Sequence, residues 1–229
     1  MSGPRFAIYF VPRAETALYR FGAAVLGYDC YTGASLPYPA FTGPDWPEVT
    51  IAPRAYGFHA TLKAPICLAE GSSEAELAVE FSRFAAQRRQ APKIALEVCD
   101  LEGFVALVPR EENAALQSLA ADCVSHFDRF RAPLTPEDLL RRRKGGLTAR
   151  QDAFLMRWGY PYVFEEFRFH MTLTGQVGTV RRPDILRSLR AWFAQQCKDD
   201  TVTVDHLALA RQNKPPEPFQ VVAQASITP

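Results

Sequence analysis

The chain has 229 residues, 26 Lys and Arg against 25 Asp and Glu, and 48% hydrophobic residues. A net charge of +1 excludes a strong global pull toward nucleic acid or an anionic membrane, although a local basic patch stays open. The five cysteines are scattered, odd in number and without a C-x-x-C pair, which argues against a disulfide scaffold and a structural zinc site.

The hydrophobic share is enough for a buried core, in one large domain or two small fused ones. The early apolar run before Pro12 is too short for a signal sequence or a membrane span. The expectation is a soluble, cytoplasmic protein with reduced thiols.

Residues 5–11 alternate as a strand, with Phe6, Ile8 and Phe10 on one face and Arg5, Ala7 and Tyr9 on the other. Pro12 ends it. Leu18, Phe21, Val25 and Leu26 keep helical spacing up to Gly27. Residues 28–53, with prolines at 37, 39, 44, 47 and 53, read as a long loop, either functional or a plain connection.

A strand is predicted over 57–64, ended by Pro65. Ser73 and Glu76 form a capping box opening a helix with Leu77, Phe81, Phe84 and Ala85 on one stripe. Strands near 93–99 and 103–108 form a hairpin. A helix over 112–128 follows. Thr135-Pro136 opens another, which carries Arg141, Arg142, Arg143 and Lys144 to Gly145. Thr148 and Gln151 cap a third, ending near Gly159. A strand over 167–175, a helix from Pro183, and strands near 201–210 and 218–225 complete the chain.

Two of these strands share a phrase. Phe58-His59-Ala60-Thr61-Leu62 recurs as Phe169-His170-Met171-Thr172-Leu173, in a chain with only four histidines. Strand alternation puts Phe58, Ala60 and Leu62 on one face and His59, Thr61 and Lys63 on the other. In the second copy, Arg168, His170, Thr172 and Thr174 share the polar face. Each copy precedes a helix and then two strands. The duplication predicts an α+β fold of two similar lobes, about 54–110 and 160–229, joined by a helical connection over 111–159. Their sheets would face a central cleft, with helices on the outer faces.

Two histidines in one cleft can hold complementary protonation states, as a general base and a general acid require. A phosphodiester opened in line needs both. Thr61 and Thr172 can donate to its non-bridging oxygens. Lys63 and Arg168 can hold its charge. Tyr9 faces away from the core in the strand reading and either lines the cleft or is simply exposed. Tyr56 shares the apolar face with Phe58 and reads as core. The Arg141–Lys144 run reads as either an anion-binding lip or a solvated face, with the solvated face favoured, His126 and His206 as structural, and Arg211 as a weak phosphate-binding candidate. No set of three or four His, Cys, Asp or Glu is close enough in sequence for a metal site.

The paired motifs resemble those of the 2H phosphoesterase superfamily, named for two His-x-Thr/Ser repeats. The stretches from Tyr56 to Pro65, Trp158 to Val163 and Phe167 to Thr174, with Phe21-Gly22 and Leu26 to Asp29, resemble its DUF1045 branch, associated with phosphonate metabolism. The resemblance implies a bilobal fold and an active site using no metal or cofactor. It implies opening of a small cyclic phosphodiester, a nucleotide or phosphoribosyl cyclic phosphate, with His59, Thr61, His170 and Thr172 as catalytic residues. Open alternatives are cyclic phosphate at RNA ends, with hydrolysis or ligation, and a binding protein without turnover. A small phosphorylated molecule is the expected partner, with neither a membrane nor a long nucleic acid.

Overall fold

In the computed structural model, which describes residues 3–227, strands and helices are mixed along the chain. The strands are β1 (Arg5–Phe10), β2 (Ala60–Cys67), β3 (Lys93–Leu101), β4 (Phe104–Pro109), β5 (Met171–Thr172), β6 (Thr201–Thr203), β7 (His206–Gln212) and β8 (Gln220–Ser226). The α-helices are α1 (Ala17–Leu26), α2 (Trp46–Arg54), α3 (Glu74–Ala86), α4 (Ala114–Phe127), α5 (Pro136–Arg143), α6 (Ala149–Trp158) and α7 (Arg182–Gln196).

Hydrogen-bonded neighbours run in the order β6-β3-β4-β5-β2-β1-β7-β8, every pair antiparallel. The α+β architecture is the expected one: two four-stranded antiparallel halves covered by helices. They join at the motif strands, through the single pair Ala60–Met171. The halves are not contiguous in sequence as the lobe boundaries anticipate. The β3–β4 hairpin, which follows β2 in the chain, pairs with β5 instead, while β7 and β8, which follow β5, extend the β2 half. β5 is thus flanked by β4, which follows the first motif, while β2 lies between β1 and β5.

Local chemistry sets the helix ends. Thr16, Ser73, Asn113, Thr135 and Thr148 each accept a backbone N–H at a helix start, and Ser73 and Thr148 complete capping boxes. Gly27 and Gly159 close α1 and α6 in the left-handed conformation. Inside α1, Gly22 has a packing reason: a Cβ there would fall 2.2 Å from the Phe58 ring. The helix can therefore lie directly on the apolar face of the first motif.

Three elements differ from the sequence reading. The presumed loop before β2 contains α2, whose first turn holds Pro47 and whose last holds Pro53. Prolines at those two places interrupt few helical hydrogen bonds. β2 runs through Pro65, which sits where the pairing with β1 slips, from Phe6–Ile66 to Ile8–Lys63. A bulge spares proline the ladder bond it cannot donate. β5 is only two residues long, although Leu173 and Thr174 still bond to Val105 O at 2.8 and 3.1 Å. Among the described residues no helix is long and apolar enough to cross a membrane.

Candidate active site

Gly57 and the strand register place the first histidine. Gly57 has φ +73°, and a Cβ on it would stand 2.6 Å from the Cys30 Cβ, so conformation and space both demand glycine. Its carbonyl accepts from His59 Nδ1 at 2.9 Å. His170 repeats the arrangement, with Nδ1 donating to Arg168 O at 2.8 Å. A proton on Nδ1 leaves Nε2 with a lone pair in each neutral ring. Thr61 Oγ1 lies 3.1 Å from His59 Nε2 and donates to it in that tautomer.

The Ala60–Met171 pair fixes how the copies meet. Extended one step each way, the register sets His59 across from Thr172 and Thr61 across from His170, with all four on one face. Residues two apart on such a diagonal lie about 7–8 Å apart. The two imidazoles are close enough for His170 to lower the affinity of His59 for a proton. Burial is the larger cause, and together they push His59 down to about 4. Burial also lowers His170 below its ordinary value, against its bond to Arg168 O. At neutral pH both rings are neutral.

A cavity of about 520 Å³ opens on this face. Thr61, His170, Arg168, Phe104, Tyr160 and Glu166 are among the residues around it. Arg168 is exposed there, and its carbonyl also holds His170. His59 is half-buried behind Thr61, its ring centroid 3.8 Å from that of Tyr9 and 6.2 Å from that of Tyr56.

Lys63, expected to hold the phosphate's charge, lies elsewhere. Lys63 is 3% exposed, and its Nζ donates to Asp128 Oδ1 at 2.8 Å and Val124 O at 3.1 Å. Arg131 shares that carboxylate at 2.8 Å. Burial lowers the Lys63 amine, against the pull of Asp128. Burial would raise the Asp128 carboxyl, but hydrogen bonds from Arg131 and Lys63 outweigh it and hold the group below the carboxylate range. Lys63 thus fastens β2 to the end of α4 and offers nothing to a ligand. Alternation puts it on the polar face, but the bulged end of that strand is covered by α4.

Tyr9 is 1% exposed and does not line the cleft, because β1 is covered on both faces. It touches His59 instead, and its hydroxyl has no hydrogen-bond partner. Tyr56, read as core, is 37% exposed and stacks on Phe219 beside His59. Arg211 pairs with Glu74 at 3.3 Å. His126 bonds Glu80 at 2.7 Å and His206 bonds Val11 O at 2.7 Å, in keeping with structural roles. Among the described residues no group of three or more His, Cys, Asp and Glu is placed to hold a metal ion.

Residues 61–220 match the family described as Protein of unknown function (DUF1045). The chain belongs to the DUF1045 family. The matched span includes Thr61, His170 and Thr172 and starts two residues after His59. The DUF1045 chain is also 36% identical, over 224 residues, to a protein of Janthinobacterium sp. (strain Marseille) named ribose 1,5-bisphosphate phosphokinase PhnN. That alignment covers 94% of the chain and 49% of the relative. A protein of the same name from Laribacter hongkongensis (strain HLHK9) is 36% identical over 190 residues, covering 82% of the chain and 44% of the relative. The chain therefore spans about half the length of the curated relatives it matches. Among solved structures, E. coli LigT complexed with NADP+ aligns over 99% of both chains at 13% identity and a TM-score of 0.48. Apo LigT aligns over 100% of both at 14% identity and a TM-score of 0.46.

Two DUF1045 residues near the motifs escaped the sequence reading. Tyr160 stands on the cavity wall, and Arg142 stacks on it with the guanidinium carbon 5.2 Å from the ring centroid. The charge run hid Arg142 among three similar neighbours. Its spacing carried a faint signal: Arg141 and Arg143 point 200° apart on a helical wheel, with Arg142 between them at 100° from each.

Proposed function

We propose that the chain is a cyclic phosphodiesterase that opens a ribose cyclic phosphate, with His59 as general base and His170 as general acid. The observation that carries this reading is the Ala60–Met171 pairing, which brings both His-x-Thr copies to one face beside a cavity. Water attacks phosphorus and gives its proton to His59 Nε2. The opposite P–O bond breaks, and His170 Nε2–H protonates the departing ribose oxygen. Thr172, and Thr61 once its hydroxyl turns from His59 Nε2 to the bound phosphate, donate to the non-bridging oxygens as charge builds there.

Burial and His170 keep His59 unprotonated, as a base must be, and His170 on the cavity wall suits the acid. His170 must be charged to act. The anionic phosphodiester favours that form once bound, since an opposite charge nearby raises an imidazole's pKa.

The name of the longer relatives supports the choice of substrate. They are called kinases of ribose 1,5-bisphosphate, yet this chain contains no G-x-x-x-x-G-K-[ST] phosphate-binding run. We assign the kinase chemistry to the other half of those proteins. Opening a 1,2-cyclic phosphate of ribose 5-phosphate at the O2–P bond yields ribose 1,5-bisphosphate, the compound that name contains. This half would then supply the kinase half.

The test is phosphorus NMR of ribose 5-phosphate 1,2-cyclic phosphate, 2′,3′-cyclic AMP and a cyclic-ended oligonucleotide, each incubated with the chain and a chelator. The expected result is loss of the cyclic signal, fastest for the phosphoribosyl compound, and growth of a monoester signal. Persistence of all three cyclic signals contradicts the proposal, and preference for the oligonucleotide would move the substrate to RNA ends.

A further inference from the structure

In the run Arg141-Arg142-Arg143, the outer two arginines are spoken for. Arg141 donates to Asp138 at 2.6 Å and Arg143 to Asp152 at 2.6 and 2.9 Å. Arg142 has no carboxylate partner among the described residues. Its Nε is buried without any hydrogen-bond partner, and its guanidinium lies over Tyr160.

A second buried donor without a partner lies under the first histidine. The hydroxyl of Tyr9 is buried and unpartnered although its ring packs on His59. Besides burial, the groups that most influence that hydroxyl include Tyr56, Arg5 and Tyr160. Tyr160 and Tyr56 likewise act on Arg142. Three phenols and a guanidinium thus lie in this region, Tyr9 and Tyr56 against His59 and Arg142 over Tyr160.

All four can donate hydrogen bonds. Burial raises Tyr9 and Tyr160 above the ordinary phenol value, so both keep their protons. A buried donor without an acceptor is destabilising. The charged Arg142, with its Nε unmatched, calls for an acceptor that the protein does not supply. A phosphate monoester provides a compact double charge and three acceptor oxygens, and planar guanidinium matches it two bonds at a time.

We propose that Arg142, with Tyr160 and Tyr56 beside it, binds a phosphate monoester of the substrate other than the phosphodiester being opened. This rests on the ring-opening reading above and adds what it lacks, a reason to prefer a sugar bearing a second phosphate. Tyr160 borders the cavity shared with Thr61 and His170, so both phosphates can belong to one small molecule.

The experiment compares ribose 1,2-cyclic phosphate with and without its 5-phosphate, using wild type, Arg142→Gln and Arg142→Lys. Wild type should favour the 5-phosphorylated compound. Arg142→Gln should lose roughly 10- to 100-fold in kcat/KM on that compound, mainly through KM, and stay within about twofold on the other. Arg142→Lys should recover part of the loss. An equal loss on both compounds overturns the proposal, because Arg142 would then serve the phosphate being opened. No loss on either overturns it also.

Calorimetric titration with ribose 5-phosphate keeps the two ideas separable. Should wild type open neither compound, the function above fails. Binding of ribose 5-phosphate that is weakened at least roughly tenfold in Arg142→Gln would still uphold the subsite, and equal binding by both proteins would overturn it.

Discussion

The two copies of the His-x-Thr phrase are alike in one respect and different in most others. Each histidine donates Nδ1 to the carbonyl two residues before it, at 2.9 and 2.8 Å. The first copy enters an eight-residue strand with a neighbour on each side, Thr61 on its Nε2 and Tyr9 against its ring. The second lies at a two-residue strand, its Nε2 free of Thr172 and its ring beside Phe104 at the cavity. Local hydrogen bonding fixes the tautomer in both, while packing makes one ring shielded and the other open. A duplicated motif therefore need not give duplicated roles, because burial and neighbours set proton affinity.

The largest break in this comparison should come from the support under the first copy. Asp128→Ala leaves Lys63 buried without its carboxylate, and the expected loss is about 3–5 kcal/mol in chemical denaturation. Adding Lys63→Met should recover much of it. A loss below about 1 kcal/mol would show that the pair does not anchor β2.

Next in size is the residue whose carbonyl accepts from each histidine. Gly57→Ala meets both a left-handed backbone and the Cys30 side chain, and should cost about 1–3 kcal/mol. Arg168→Ala keeps the same carbonyl with an unstrained backbone, so stability should stay within about 0.5 kcal/mol. Equal costs at the two positions would erase the asymmetry.

The smallest effect is on titration. Thr61→Val removes a donor that stabilises neutral His59, so the His59 pKa in NMR should rise modestly above about 4, with burial and His170 still holding it below the ordinary value. Thr172→Val should leave His170 where it is. Because folding depresses His59, the unfolded chain takes up that proton first as pH falls. Its contribution makes stability fall between about 6.5 and 4 in wild type, and over a narrower range in Thr61→Val. Identical shifts in the two variants would contradict the separate roles.

Much of this arrangement was legible in the sequence, because local rules govern it. The caps at Ser73, Thr135 and Thr148, the hairpin turn before Phe104 and the shared face of His59 and Thr61 depend on residues a few positions apart. What was not legible depends on distant partners. Lys63 has the alternation of a cleft residue and is taken by Asp128. Tyr9 has that of an exposed residue and is covered on both sides. The exchange of β3–β4 and β7–β8 between halves leaves no trace in periodicity, since either pairing satisfies the same apolar pattern. Arg142 differs from its neighbours only in what it fails to meet.

The central claim is that both imidazoles act on one phosphate. It is tested most directly by kcat/KM for ring opening in His59→Ala, His170→Ala and the double variant, with chelator present. Each single change should cost about 10²- to 10⁴-fold, and the double variant should lose little more than either single, because the two groups act in one step. Near-full activity in either single variant, or in the double, would contradict the account.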